Sequence, residues 1–332
     1  MDDSERASTS FRSTLNFNIL DHGYVKFIDA MGTDADIIRA ARMSVDRGFE
    51  GWDKHERCKH CGRTPELAAQ AGPFCHSRPG ELDCLFEFKP GDAGLLEFMY
   101  RERHTTPFEM CELKLEVQAP IMVFREWHRH RTQSYSEFSA RYSQMPNLHY
   151  LPDPSRIQKQ HASMKQGSAE ALPPEAADDI LKRLGMEQDM VYKYYDDLVA
   201  AGIAKEVARL NTPVSRYSKM TVKTDLWNWL AFLRLRMAPN AQWEIRQFAN
   251  AVGKIVEALW PRTWALFEEY SLNSVTFSKT EMETLRLLVG ELNIGPMAAV
   301  SKASDEMAAL YNKLGDKKTK AFWEKLEPSE SL

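Results

Sequence analysis

The hydrophobic pattern changes period several times along the chain, and each change marks an element. Between Leu15 and Ala30 it predicts two short strands joined at Asp21-His22-Gly23. Ile37, Ile38, Ala41 and Met43 then recur at helical spacing, with Asp34 placed to cap the helix they form. A second helix is predicted near Ala93 to Arg103. After it, Leu113, Leu115 and Val117 alternate with Glu112, Lys114 and Glu116, the period of a half-buried strand. Pro120 is placed to open a helix running through His130, because a first-turn proline forfeits no helical hydrogen bond. Pro152 to Asp178 is polar and proline-bearing, which predicts a loop. Helical spacing dominates the rest: Ala176 to Ala200, Thr224 to Arg236, Ala241 to Leu259 and Thr263 to Tyr270. From Lys279 to Leu332 helical segments end in a frayed, charged terminus. The expected fold class is α+β, a mostly antiparallel sheet with a large helical subdomain. The expected organisation is a polar, disordered lead over residues 1–14, a main domain over 15–272, and a helical extension over 273–332.

Residues 46–90 break the pattern. They hold four of the five cysteines, several glycines and prolines, and little periodicity, and read as a module inserted into the main domain. Cys58-Lys59-His60-Cys61 is a C-x-x-C pair, and Cys75 and Cys84 follow it. Two thiols so spaced bind zinc readily, and two further ligands would close a tetrahedral site. Cys75 and Cys84 lack that spacing, so His60 or His76 could stand in for either. A structural zinc on Cys58, Cys61, Cys75 and Cys84 and a reduced loop of unpaired thiols are both open readings here.

Composition narrows the function classes. A hydrophobic fraction of 43% and a charged fraction of 27% are ordinary for a globular protein. No apolar run approaches the roughly 20 residues that span a bilayer, so no membrane partner is expected. The net charge of -4 gives no overall pull toward nucleic acid or anionic lipid, so anion recognition has to be local. An odd cysteine count without a secretion signal points to a reducing compartment, the cytoplasm.

One segment has that local charge. Arg125-Glu126-Trp127-His128-Arg129-His130-Arg131 packs three guanidiniums and two imidazoles into seven residues. In a helix Arg125 and Arg129 would share one face and Trp127 and Arg131 another. Such a cluster is costly unless an anion or several carboxylates compensate it. Ser134, Ser136, Ser139, Arg141 and Ser143 follow at once, offering hydroxyls, N–H groups and a guanidinium fork to a phosphate. Glu137 among them can accept from a ribose hydroxyl or orient an arginine. A solvated basic helix touching RNA is the competing reading. The apolar Ile121-Met122-Val123-Phe124 just before the cluster argues for the mouth of a core instead.

Arg129-His130-Arg131, seven residues, then Ser139, extended by Glu137-Phe138-Ser139-Ala140-Arg141-Tyr142-Ser143, resembles the signature of the flavin-dependent thymidylate synthases. Leu20-Asp21-His22-Gly23-Tyr24-Val25, Arg39 to Ser44, and His104-Thr105-Thr106-Pro107-Phe108-Glu109 are similar to the family's opening strands, first helix and flavin-contacting segment. Glu206 to Arg209, Phe232 to Arg236 and Ala241 to Ile245 follow in the family's order. The likeness covers most of Leu15 to Tyr270, without the cysteine-rich insert.

The resemblance implies the thymidylate synthase-complementing fold and an enzyme that converts dUMP to dTMP. It implies methylenetetrahydrofolate as carbon donor, FAD as hydride source, NADPH to reduce it, and a homotetramer sharing its active sites. It places Glu126, Trp127, His128, Arg129, Glu137, Phe138, Ser139, Ala140, Arg141, Arg209 and Arg236 at dUMP. Within that set Ser139, Ala140 and Arg141 would hold the phosphate and Arg209 and Arg236 the uracil carbonyls. Ser44, Thr106, Arg129, His130, Arg131, Glu137, Asp225, Trp227 and Ala231 would lie at FAD, and His104 on the folate side of the flavin. Arg236 is the expected catalytic residue: a guanidinium is no base, but it can stabilise negative charge spreading over N3 and O2 of the pyrimidine. No G-x-G-x-x-G follows a strand, consistent with NADPH visiting the flavin site transiently. Cys111, the one cysteine outside the insert, is expected to pack rather than attack. Glu126 stands where the family usually has Gln, Ser136 where Asn is common, and Asp225, Trp227 and Ala231 where polar or basic flavin contacts are usual. A sibling flavoprotein that leaves a hydroxymethyl group on a pyrimidine deoxynucleotide, and a zinc-containing nucleic-acid-binding protein, are the alternatives.

Overall fold

The computed structural model describes residues 15–53, 55–58, 86–89, 91–160, 162 and 168–291. Two compact units divide the chain, Met1–Leu272 and Asn273–Leu332. In the first, β1 (Asn16–Ile19) and β2 (Gly23–Met31) form an antiparallel hairpin. Gly23 is required there, because a Cβ would sit 2.6 Å from the Ile19 carbonyl oxygen and 2.8 Å from the Phe248 ring. Helix α1 (Asp34–Arg42) follows, then the short pair β3 (His55–Cys58) and β4 (Phe86–Lys89). Helix α2 (Asp92–Arg101) and the single turn α3 (Thr106–Glu109) lead to the long strand β5 (Glu112–Pro120). Helix α4 (Ile121–Trp127) and strand β6 (Ser134–Glu137) come next, then the hairpin β7 (Gln158–Gln160) and β8 (Ser168–Ala171). The 27-residue helix α5 (Pro174–Ala200) and the turn α6 (Lys205–Ala208) lead to strand β9 (Tyr217–Asp225). Helices α7 (Leu226–Arg236), α8 (Trp243–Leu259) and α9 (Pro261–Phe267) finish the unit. The second unit contains α10 (Lys279–Glu291).

The sheet order is β1-β2-β5-β9-β6, every pair antiparallel, so the class is α+β. Register aligns Val25 with Val117 and Met220, and Phe27 with Leu115 and Val222. These side chains are buried on one face, whereas Lys26, Glu116, Lys114 and Lys219 alternate onto the other. Helix α8 buries Ile245, Phe248, Ala249, Val252, Ile255, Val256 and Leu259, a stripe at helical spacing against the apolar face. Trp127, Trp229 and Phe232 interlock beneath it, with Trp127 and Phe232 centroids 4.6 Å apart. Each buried indole N–H has a partner: Trp229 donates to the Leu113 carbonyl at 3.1 Å and Trp127 to Gln133 Oε1 at 2.9 Å.

Several boundaries depart from the sequence expectation. Helix α4 stops at Trp127 with His128 as its C-cap, so Arg129, His130 and Arg131 lie on a turn and share no helical faces with Arg125 and Trp127. Pro120 ends β5 and serves as N-cap, in an extended conformation outside the helix. The stretch expected as a loop over Pro152 to Asp178 contains the β7–β8 hairpin, and Thr224 belongs to β9. Asp34 is not the cap of α1. Thr33 is, in a reciprocal capping box with Asp36. The buried Asp34 carboxylate instead accepts from the backbone N–H groups of Arg262 (2.9 Å) and Thr263 (3.1 Å) and from the Thr263 hydroxyl (2.7 Å). It thereby satisfies donors at the start of α9 that have no partner within the helix, more than 220 residues away in sequence. Burial pushes the Asp34 carboxyl above its ordinary range, against these three bonds that favour its ionised form.

Removing that carboxylate strands three donors in the core, so Asp34→Ala is expected to cost about 2–3 kcal/mol of stability. Urea unfolding of the variant checks this; an unchanged midpoint would remove Asp34 from the contacts that hold α9.

Candidate active site

A cavity of about 280 Å³ opens where α4, β9 and the segments after β6 and α6 meet. Arg125, Glu137, Phe138, Ala140, Arg209, Tyr217 and Ser218 line it. Each reaches it for a local reason. The register of β6 puts Glu137 opposite Met220, and the strand ends there, so the chain turns across the cavity through Phe138 and Ala140. The Ser139 carbonyl then accepts from the N–H groups of Tyr142 and Ser143, both at 3.1 Å. Arg209 opens a 3-10 turn directly after α6. Ser218 fixes Glu137, its hydroxyl donating to Glu137 Oε1 at 2.7 Å. Tyr217 donates to Asp21 Oδ1 at 2.5 Å, which ties this wall to the β1–β2 turn, and burial with Asp21 raises its phenol pKa.

Two cations without an ion pair among the described residues, Arg125 and Arg209, line this cavity. Among the described residues, Arg125, Arg129, Arg131 and Arg209 have no carboxylate partner. Arg125 and Arg209, uncompensated at one cavity, favour an anion there. A larger cleft of about 560 Å³ lies beside α5, but its Arg156 is already paired with the buried Glu244 at 3.2 Å. None of the residues that the resemblance places at dUMP or FAD lines it.

Arg236, the last residue of α7, is held by the end of α4 and the turn that follows it. Its Nη1 donates to Glu126 Oε2 at 2.9 Å, its Nη2 to the Glu126 carbonyl at 3.0 Å, and its Nε to His130 Nε2 at 3.0 Å. Accepting through Nε2 assigns the ring proton of His130 to Nδ1. Burial, reinforced by the Arg236 guanidinium, lowers the His130 pKa from 6.5 to about 4, so the imidazole is neutral at ordinary pH.

The remaining expected residues divide by environment. Arg129 and Arg131 are exposed on the turn, and Ser44, His104 and Thr106 are exposed near α1 and α3. The His104 ring meets Phe98 edge-on at 5.5 Å. His128 stacks on Phe124 at 6.0 Å. Arg141 is exposed and paired with Glu206 at 3.0 Å, just outside the cavity that Ala140 lines. Ser139 is half-buried, and its Oγ accepts from the Arg141 N–H at 3.3 Å. Two residues have structural roles within the single chain. The Trp127 side chain is fully buried in the core and supports the turn from behind. Asp225 uses its carboxylate as the N-cap of α7, accepting from the Asn228 N–H at 2.9 Å and its side-chain amide at 2.7 Å. Trp227 packs against Tyr100 and Phe108, and Ala231 is half-buried one turn further along α7. Cys111 is fully buried against Gly32, as a packing residue.

Sequence reasoning missed Tyr217 and Ser218 as cavity residues, and Arg125 as a wall of it. The sequence pattern assigns no strand to residues 217–223, so it gives no hint of what the first residues of β9 face. The candidate zinc ligands Cys61, Cys75 and Cys84 lie outside the described residues, as does the Cys58 side chain. Among the described residues no helix is long and apolar enough to cross a membrane.

Comparison with known proteins identifies relatives over most of the chain. The model of the family described as thymidylate synthase complementing protein matches residues 26–262. A flavin-dependent thymidylate synthase from Wolbachia pipientis wMel is 35% identical over 276 residues, covering 83% of this chain and 84% of the relative. One from Thermus thermophilus is 37% identical over 275 residues, covering 83% and 86%. Among solved structures, a UMP/dUMP methylase from Streptomyces cacaoi, bound with 5-Br UMP, superposes with a TM-score of 0.59 at 24% identity. It covers 77% of this chain and 98% of its own, and it shares the fold. By the span of the family match and the identity of these relatives, the chain belongs to the thymidylate synthase complementing protein family.

Proposed function

We propose that this protein is a flavin-dependent thymidylate synthase that converts dUMP to dTMP with methylenetetrahydrofolate as one-carbon donor and NADPH-reduced FAD as hydride source. The observation that carries the reading is a cavity with two uncompensated guanidiniums, Arg125 and Arg209, beside a carboxylate fixed by Ser218. That donor set suits a nucleotide monophosphate: cations for the phosphate, a carboxylate for a sugar hydroxyl, and the flat Phe138 ring beside them. Arg141 supplies a further guanidinium at the rim once it leaves Glu206, an exposed pair that is cheap to exchange. Ser139 and Ala140 add the turn on which the phosphate would rest.

Arg129 and Arg131, exposed and unpaired among the described residues, fit the pyrophosphate of FAD, with Ser44, Thr106 and His104 nearby in the assignment. When bound, the flavin supplies the hydride that completes the methyl group. The chain's own residues supply position and charge. Arg236 stabilises the negative charge that develops on N3 and O2 of the pyrimidine, raising the nucleophilicity of C5. Neutral His130 adds no competing positive charge there. Cys111, the one cysteine whose side chain is among the described residues, is buried in the core and takes no part as a nucleophile.

Arg236 does not line the 280 Å³ cavity of a single chain, and a second chain would bring it to the nucleotide. In support, α5 exposes Met186, Met190, Tyr194 and Leu198, four residues apart along one side, with exposures of 62%, 51%, 60% and 41%. An apolar stripe of this kind suits burial against another copy in a homotetramer with shared sites.

Three outcomes are expected. Purified protein carries flavin absorbance and, given dUMP, methylenetetrahydrofolate and NADPH, forms dTMP; 5-hydroxymethyl product instead would move the assignment to the sibling chemistry. In the same assay Arg236→Ala nearly abolishes turnover while keeping its flavin, and Arg141→Ala raises the dUMP KM in line with a lost contact of about 1.5–3 kcal/mol. Stability also depends on pH through His130. The unfolded ring takes a proton near 6.5 and the folded ring only near 4, so stability is lost as pH falls through that window. Thermal unfolding at pH 7 and pH 5, around that window, should therefore show a smaller drop for His130→Gln than for the unaltered protein.

A further inference from the structure

The three hydrogen bonds on Arg236 come from the end of α4 and the turn after it, and two of the three acceptors belong to Glu126. A guanidinium has five N–H donors. With Nε, one N–H of Nη1 and one of Nη2 engaged, a single N–H remains on each terminal nitrogen. Both ends of the pair are shielded, the Arg236 side chain at 19% exposure and Glu126 at 29%, so water competes weakly for the bond. His130, the third acceptor, is itself fixed: its ring meets Phe232 edge-on at 4.9 Å and its carbonyl accepts from Tyr135 at 2.7 Å. Phe232 lies one turn before Arg236 on α7, so α7 and the turn after α4 brace each other around the guanidinium.

We infer that Glu126 is a positioning residue, which orients Arg236 so that its two unengaged N–H groups point as a pair at two adjacent acceptors of the substrate. This rests on the proposed role of Arg236 in dUMP methylation and assigns Glu126 to the arginine instead of the nucleotide. With the His130 contact, the side-chain oxygen and the backbone carbonyl of Glu126 hold all three guanidinium nitrogens. Loss of the side-chain acceptor leaves Nη1 unheld and the group more loosely oriented, while the carbonyl and His130 contacts persist. Loosening of this kind affects the step in which charge develops more than it affects binding, because a loosely held guanidinium still offers its charge to the ground state.

The test compares Glu126→Ala and Glu126→Gln with the unaltered holoenzyme. The Ala variant is expected to lose about 100-fold in kcat, with dUMP KM and flavin content within about threefold. The Gln variant keeps a side-chain oxygen for Nη1 and is expected to recover kcat to within about tenfold. An unchanged kcat in the Ala variant, a loss confined to KM, or a Gln variant as slow as Ala would each overturn the assignment. Side-chain 15N relaxation of the Arg236 Nε–H reads the same claim without turnover. It is expected to report a rigid group in the unaltered and Gln proteins and a mobile one in Ala, and equal rigidity in all three would contradict it. Absence of dTMP formation by the unaltered protein would count against the proposed function, while the relaxation data would still decide whether Glu126 positions Arg236.

Discussion

Positive charge without internal compensation is the constraint around which this protein is arranged. Some arginines of this fold end on a carboxylate, as Arg42 does with Asp92 and Glu50, and Arg156 with Glu244. Arg125, Arg129, Arg131 and Arg209 do not, among the described residues, and two of them face one cavity. Mutual repulsion makes such a group unfavourable in isolation, and it becomes favourable when a phosphate enters. The net charge of -4 makes the concentration of cations at one turn more telling, because it is not the echo of a basic surface.

The scaffold explains how the turn can bear this. Strand β9 pairs with both β5 and β6, so the segment between α4 and β6 is pinned on each side by backbone ladders. Below it, Trp127, Trp229 and Phe232 give a rigid aromatic floor, and Gln133 and Tyr135 tie the turn to that floor by hydrogen bonds. Rigidity here has a chemical purpose: charge stabilisation is strongest when the donors need not reorganise as the reaction proceeds. Asp34, Thr263 and Arg262 do the corresponding work at the far end of the helical layer, holding α9 to α1.

Much of this could be read in the sequence where the chemistry is local. The alternation from Glu112 to Val117 marked a central strand, and the helical spacing of Ile245 to Leu259 marked the helix that covers it. Glu137, Phe138 and Ala140, contiguous or nearly so, did fall together in the cavity with Arg209. What escaped depends on tertiary contact. A helix end cannot be read from Trp127-His128-Arg129 because no glycine or proline interrupts it, and the turn is imposed by pairing of β6 with β9. Asp34 has the composition of a cap for its own helix, yet Thr33 outcompetes it locally and leaves its carboxylate for Arg262 and Thr263. Tyr217 and Ser218 carry no motif at all; only the start of β9 beside Arg125 and Glu137 gives them a place in the site.

The central claim concerns recognition of a phosphate by unpaired arginines, and comparing dUMP with deoxyuridine tests it without reference to catalysis. Calorimetric titration of the flavin-loaded protein should show dUMP binding roughly 100-fold or more tighter than deoxyuridine, as two charge-assisted contacts require. Equal affinity for the two would mean that the arginines around the cavity do not hold a phosphate, and the account of the site would fail.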